Sequence, residues 1–263
     1  MIIKQTCRKC DDKRENNATE NGAVSEAAFR QGEGMLLKKV SAEEIKCRAA
    51  ELGADLCGIA SVERFADAPS GFHPSNVLKD CKSVIVVALC FPTSTIASPS
   101  PAAYTFVRNR LVDRTDSITF QLALELERLA TRALPIPSSD PYDYWDASRR
   151  RGQGILSLKH AAVRAGLGPM GKNTLLVNEQ YGNMLWLGAV LLDQELEADP
   201  VVTQQFCPSE CSICLEACPA QALDGITIEQ SKCREISAEY TEGGGGVYAC
   251  KLCRTVCPNC ERT

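Results

Sequence analysis

Cysteine spacing constrains this chain more than any other feature. Of its 15 cysteines in 263 residues, nine lie between Cys207 and Cys260. They form two runs, Cys207-x3-Cys211-x2-Cys214-x3-Cys218-Pro219 and Cys250-x2-Cys253-x3-Cys257-Pro258, with Cys233 alone between them. A reducing compartment keeps thiols apart, so dense, patterned cysteines there read as metal ligands rather than disulfides. The expected compartment is the cytoplasm. The start, MIIKQTCRKCDDKRENN, turns charged too early for the apolar region of a signal peptide. The longest apolar run, Val84 to Phe91, is 8 residues, against the ~20 a membrane-spanning helix needs.

The two runs follow the two-cluster pattern of bacterial ferredoxins with altered spacing, in which the Cys before Pro ligates the other cluster rather than its local one. Three thiolates two or three residues apart wrap one cubane in a single turn of chain. The fourth, just before Pro, begins the next helix and points away. That rule gives one [4Fe–4S] cluster Cys207, Cys211, Cys214 and Cys257, and the other Cys218, Cys233, Cys250 and Cys253. Cys260 is left over and is expected to stay unligated. Zinc is the rival reading, but tetrahedral zinc sites are usually built from two Cys-x2–4-Cys pairs. With only His73 and His160 present, histidine-rich metal sites are excluded. Cys7-x-x-Cys10 has no second pair to complete a zinc site and reads as two thiols. Cys47, Cys57, Cys81 and Cys90 fall on expected core elements and read as buried thiols that pack like small apolar residues.

Residues 1–40 read as a mobile polar arm, 41–199 as an α/β unit and 200–263 as the cluster-binding domain, so the fold class is α+β. Ser41-Ala-Glu-Glu44 is a capping box, followed by Ile45, Ala49 and Leu52 at helical spacing and a stop at Gly53. Strands are expected at Asp55 to Ala60, Ser83 to Phe91, Thr174 to Asn178 and Met184 to Leu192. The second of these is apolar throughout, hence buried on both faces. Helices are expected over 102–113 and over Asp116 to Ala133, the latter with Ile118, Leu122, Leu126 and Leu129 on one face. Residues 92–101 and 134–154 read as loops, the second carrying Tyr142, Tyr144 and Trp145 as either a binding loop or an apolar plug. A further helix carries Ile155, Leu158, Ala162 and Ala165 and stops at Gly166. Gly166-Leu-Gly168-Pro-Met-Gly171 matches a dinucleotide fingerprint, but that motif needs a strand before it and a helix after it. Here the order is reversed, so nicotinamide binding is rejected and the glycines form a tight turn.

The segment His160-Ala-Ala-Val-Arg-Ala-Gly-Leu-Gly-Pro-Met-Gly-Lys-Asn173, then Leu175-Leu-Val, Tyr181-Gly182 and the cysteine runs, resembles the epoxyqueuosine reductase family, whose wider relatives include reductive dehalogenases. The resemblance covers roughly residues 41–258 and is strongest from 152 on. Phe72-His73-Pro74 and Ser83-Val-Ile-Val are similar to shorter, unassigned members. It implies a nitroreductase-like α/β domain holding cobalamin, then a two-cluster ferredoxin-like domain that feeds electrons to cobalt. Gly166, Gly168, Gly171, Lys172 and Asn173 would then lie against the corrinoid. Two departures bear on the substrate. The acidic residue that the family carries about fourteen positions before the first glycine of this turn is Gly152 here. The family's carboxy-terminal helical repeat domain is also expected to be missing.

Reductive chemistry on such a cofactor needs a proton donor, and Tyr142, Tyr144, His160 and Lys172 are the candidates. Each also has a plain structural reading as a packed ring, a capped helix or a surface charge. The net charge of −4 argues against a broad phosphate-binding surface, so nucleic acid is not an expected partner and neither is a membrane. Expected partners are an electron donor such as a ferredoxin or flavodoxin, and either a small-molecule substrate or a corrinoid protein. The first reading is therefore an oxidoreductase, not one for epoxyqueuosine in tRNA. The second is a non-catalytic electron carrier or reductive activator. A hydrolytic triad has no support, because nothing sets a nucleophile beside either histidine.

Overall fold

The computed structural model describes residues 39–148 and 151–260; Cys7, Cys10 and the arm before residue 39 lie outside them. The capping box at Ser41 forms as read: its hydroxyl accepts from the Glu44 N–H, and the Glu44 carboxylate accepts from the Ser41 N–H. It starts helix α1 (Ala42–Leu52), which Gly53 ends at φ 102°. Strand β1 (Leu56–Ser61) follows, then the short helix α2 (Pro74–Val77), whose N-cap is His73. Strand β2 (Ser83–Cys90) comes next, then helices α3 (Thr93–Ala97) and α4 (Pro101–Glu127). Strands β3 (Ala133–Ile136), β4 (Tyr144–Asp146) and β5 (Arg151–Gln153) lead to helix α5 (Leu158–Arg164) and strand β6 (Leu185–Leu192).

The central sheet is antiparallel in the order β1-β2-β6-β3. Period-two alternation sorts its side chains onto two faces. Ile59, Ile85, Val190 and Leu192 pack with Ile45 of α1 and Leu122 and Leu126 of α4. Ala60, Val84, Val86, Ala189 and Leu191 pack on the other face with Ala161, Ala162 and Ala165 of α5. Strand β2 is therefore covered on both sides, as its unbroken apolar run requires.

Several local expectations are corrected. The two helices expected over 102–133 are one 27-residue helix. No glycine or proline interrupts residues 102–133, and the polar patch around Asp113 simply faces solvent while Thr115 turns into the sheet. Leu129 lies beyond that helix and is exposed. Residues 92–101 hold α3, and the expected loop over 134–154 holds three short strands. Pro135 sits within β3 because β3 is an edge strand. The strand expected at Thr174 to Asn178 is a turn instead: Thr174 adopts φ 58°, and the Gly171 N–H donates to the Leu175 carbonyl at 2.8 Å. Cys47, two residues past buried Ile45, turns off the core face of α1 and is disulfide-bonded, not a buried thiol. Cys57, Cys81 and Cys90 are unbridged, and burial pushes their thiols up to about 12, 11 and 11.

Residues 200–260 carry little regular structure: helices α6 (Ile213–Glu216), α7 (Gln230–Ser237) and α8 (Leu252–Thr255), and the hairpin of β7 (Ala238–Tyr240) with β8 (Gly246–Tyr248). No helix begins at either Cys-Pro step. The short helices instead carry Cys214, Cys233 and Cys253, and the chain turns after Cys218, with Gln221 at φ 47°. Among the described residues no helix is long and apolar enough to cross a membrane.

Gly188 in β6 packs against Thr115 and Thr119 of α4. A Cβ there would meet Thr115 Cγ2 at 2.5 Å and Thr119 Cγ2 at 3.0 Å. Gly188→Ala is expected to force α4 outward and lower stability by about 1–3 kcal/mol, as overpacked cores do. The urea midpoint should fall at unchanged slope.

Candidate metal centre

The seven cysteines of the two runs and Cys233 are brought together in two groups of four, each group drawing from both runs. Cys207, Cys211, Cys214 and Cys257 line one small cavity, together with Gly171, Lys172 and Asn173. Cys214 lies within electrostatic reach of the other three. In the second group, Cys253 is within reach of Cys233, Cys250 and Cys218. Burial is the first cause that holds the Cys214, Cys233 and Cys253 thiols above their ordinary range, Cys253 at about 11, and neighbouring cysteines add to it. Desolvated thiols that repel one another once ionised are a donor set that a cationic metal group would complete.

The residues fit a cluster better than a single ion. Among the described residues, no three His, Cys, Asp or Glu side chains converge tightly enough to hold one metal ion. Four-coordinate zinc would draw its sulfurs to about 2.3 Å from a single centre. Four cysteines spread around a cavity match ligands to the outer corners of an iron–sulfur cluster. Cys260 belongs to neither group: it is buried, with its thiol 3.6 Å from Met184 Sδ.

Side chains of the α/β layer hold the cysteine-bearing backbone in place. Lys172 Nζ donates to the carbonyls of Ser209 and Cys211 at 2.5 and 2.8 Å. Asn173, 2% exposed, donates from Nδ2 to the Cys253 carbonyl at 2.9 Å and accepts the Leu175 N–H on Oδ1. Asn183 Nδ2 donates to the Arg254 carbonyl at 3.2 Å, and the Arg254 guanidinium donates back to the Asn183 carbonyl. Arg254 is 6% exposed and lies over the Phe91 ring at 4.7 Å. Asn259 Nδ2 donates to the Phe206 carbonyl at 3.1 Å. Lys251 Nζ reaches back to the carbonyls of Thr95 and Ser98 at 2.9 and 2.6 Å.

The glycine turn is closed by the chain itself. A Cβ on Gly166 (φ 74°) would lie 2.3 Å from the Pro200 carbonyl oxygen, and one on Gly168 (φ 146°) 2.1 Å from that of Val177. Gly171 packs against Asn173 Oδ1 and Val177. The backbone approach these glycines permit is therefore made by the chain's own carbonyls, and Lys172 and Asn173 point at the cysteine segment.

The aromatic candidates lie on the β4–β5 hairpin. The Tyr142 ring stacks on Trp145 at 5.8 Å, and the Arg234 guanidinium lies over both rings. Arg234 Nη2 donates to the Tyr142 hydroxyl at 3.2 Å. A Cβ on Gly152 would meet the Tyr142 ring at 3.1 Å, and Gln230 pairs its amide with the Gly152 N–H and carbonyl at 3.1 and 3.2 Å. Arg234 and Gln230 both lie on α7 beside Cys233, so the hairpin is fastened to the helix that carries a cysteine of the second group. Tyr144 is exposed. His160 Nδ1 pairs with the Ser157 hydroxyl at 2.7 Å at the start of α5. Burial, Arg164 and Lys159 hold His160 below its usual 6.5, so it is neutral at pH 7 and poorly suited to act as an acid there.

Sequence reading missed Asn183, Arg234, Gln230, Arg254, Asn259 and Lys159. Arg254, between Cys253 and Cys257, had a positional signal, but nothing in the spacing of the others marks them. Lys159 Nζ donates to Thr174 Oγ1 at 3.3 Å, next to Asn173, and feels the Cys253 and Cys233 thiols. Burial is the first cause lowering its pKa.

No family model matches the chain. An epoxyqueuosine reductase of Gloeobacter violaceus is 30% identical over 259 residues, covering 83% of this chain and 76% of that protein. The structure of an epoxyqueuosine reductase with an epoxyqueuosine-modified tRNA-Tyr stem loop superposes with a TM-score of 0.56 at 22% identity, over 83% of this chain and 65% of that one. A reductive dehalogenase whose structure suggests a mechanism for B12-dependent dehalogenation superposes with a TM-score of 0.63 at 21% identity, over 89% of this chain and 34% of that one. The mixed α/β fold is thus shared with both, while this chain spans about two thirds of the first solved chain's length and one third of the second's.

Asn173→Ala leaves the Cys253 carbonyl and the Leu175 N–H without their partner. The expected cost is about 1–3 kcal/mol, the penalty for buried groups left unpaired. The variant's urea midpoint should fall, and a chelator should strip metal from it faster than from the parent protein.

Proposed function

The chain belongs to the epoxyqueuosine reductase family, and from that premise we propose that it is an iron–sulfur oxidoreductase whose two four-cysteine groups each hold a [4Fe–4S] cluster. Electrons pass through both to an acceptor at the α/β unit. Residues 41–199 then form a nitroreductase-like domain and residues 200–263 a ferredoxin-like one. The observation that carries this reading is the crossing of the two groups: Cys257 joins the first run's cysteines, and Cys218 joins Cys233, Cys250 and Cys253. When bound, the clusters supply one-electron transfer at low potential. The protein's part is to present eight thiolates, exclude water from them and fix their spacing through Lys172, Asn173 and Asn183.

The corrinoid implied by the family resemblance does not fit the loop assigned to it. Gly166 and Gly168 are covered by the Pro200 and Val177 carbonyls, and Lys172 and Asn173 are bonded to the cysteine segment. The acceptor is a small molecule rather than tRNA: the position of the family's acid is Gly152, shielded by the Tyr142 ring, and the chain carries a net charge of −4. Tyr142 is the proton donor best placed for such a reduction. Its hydroxyl accepts from Arg234 Nη2 at 3.2 Å, and its own O–H is a donor. A soluble one-electron donor such as a ferredoxin or flavodoxin supplies the electrons. The closed glycine turn also favours a second reading, a reductive activator that delivers electrons to a partner's corrinoid.

Anaerobically reconstituted protein is expected to hold about eight iron and eight sulfide per chain, four of each per cubane. Cys218→Ser and Cys250→Ser should perturb one electron paramagnetic resonance signal, and Cys211→Ser and Cys257→Ser the other. Grouping by sequence neighbourhood instead would overturn the crossed assignment. Titration with cob(II)alamin is expected to leave the cobalt signal unchanged. A stoichiometric change would seat a corrinoid in this chain and overturn the closed-turn argument.

A further inference from the structure

The two cysteine groups differ in the cations around them. Lys172 is the cation on the first group's cavity, and its ammonium is engaged by the Ser209 and Cys211 carbonyls. The second group has three cations among the described residues. Arg234 acts on Cys233, and Arg254 on Cys253. Lys159 acts on both Cys233 and Cys253. Arg234 and Arg254 come from the cysteine segment itself and have other work, stacking on Tyr142 and Trp145 or bonding to Asn183. Lys159 comes from the opposite side, at the start of α5, and is half-buried. Its ammonium donates to Thr174 Oγ1 at 3.3 Å, and the neighbouring Asn173 holds the Cys253 carbonyl. A half-buried ammonium facing a thiolate-ligated cluster is screened far less than a surface one, and net charge and hydrogen bonding are among the factors that set cluster potentials.

We propose that Lys159 is an electrostatic positioning residue that raises the reduction potential of the cluster on Cys218, Cys233, Cys250 and Cys253 above that of the other cluster. This rests on the two-cluster reading. Adding one electron adds one negative charge to that cluster, with no bond made or broken and no proton moved. A fixed positive charge beside it therefore favours the reduced form. Electrons from a low-potential one-electron donor, dithionite in the test below, then collect on the cluster beside α7 and the Tyr142 hairpin. That cluster becomes the point from which they leave the chain.

The test is a redox titration of the whole reconstituted chain, followed by electron paramagnetic resonance. The second group's signal is identified as the one that Cys233→Ser alters. In Lys159→Gln, the reduced-to-oxidised ratio of that cluster at fixed potential should fall about tenfold, a shift of about 59 mV for a one-electron couple. The other cluster should move much less, and Lys159→Arg should restore the parent value. Lys159→Met, which keeps the packing of the stem, is read the same way if the Gln variant loses iron. An unmoved midpoint for the second cluster, or a larger shift on the first, overturns the proposal while the parent still holds two clusters. A parent with fewer than two clusters overturns the reading beneath it instead.

Discussion

The structure depends on backbone carbonyls of the cysteine-bearing segment being satisfied by side chains from the α/β layer. Residues 200–260 have too little helix or sheet to pair their own polar groups, yet several of those groups are buried. Buried carbonyls without partners are costly. Lys172, Asn173 and Asn183 donate to the carbonyls of Ser209, Cys211, Cys253 and Arg254. Each contact sits within a residue or two of a cysteine. The bonds that hold the segment down are thus also the bonds that set where the thiols stand.

The layer that makes these contacts is rigid for a separate reason. Its sheet is covered on both faces, by α1 and α4 on one side and α5 on the other, so β2 and β6 alternate between two apolar clusters. Two glycines let the layers approach closely: Gly188 admits α4, and Gly58 admits the Ala165 carbonyl at the end of α5. Helix α5 is then fixed at the point where the glycine turn begins. The turn, in its corner against Pro200 and Val177, delivers Lys172 and Asn173 to the cysteines. Sheet packing and cysteine placement are consecutive links in one chain of contacts.

The β4–β5 hairpin is the second point where the two parts meet. Its aromatic rings and Gly152 backbone are bound by Arg234 and Gln230 of α7, the helix that carries Cys233. A change at this hairpin is therefore felt beside the second cysteine group. This links Tyr142, through Arg234, to the cysteine group that lies near Lys159. Lys172 and the glycines, by contrast, act on the first group and hold structure there.

Much of this was legible in the amino-acid order because the physics is local. The capping box at Ser41, the stop at Gly53, the two-sided burial of β2 and the helix before the glycine turn depend on residues a few positions apart. The cysteine grouping was read from the two-cluster rule, and the structure sets Cys207, Cys211, Cys214 and Cys257 on one cavity and Cys218, Cys233 and Cys250 near Cys253. Misread elements were those decided at a distance. Helix α4 runs unbroken because Thr115 finds Gly188 across the layer. Pro135 is tolerated because β3 ends up at the edge. Thr174 turns because Gly171 bonds back to Leu175. The partners of Lys172, Asn173, Lys159 and Arg234 lie between about 15 and 92 residues away in sequence. The sequence by itself determined the spacing of the cysteines and the periodicities that form the sheet. Only the tertiary structure decided what the glycine turn faces, which cations sit at which cysteines, and what fills the space above Gly152, because those contacts arise only when distant segments pack.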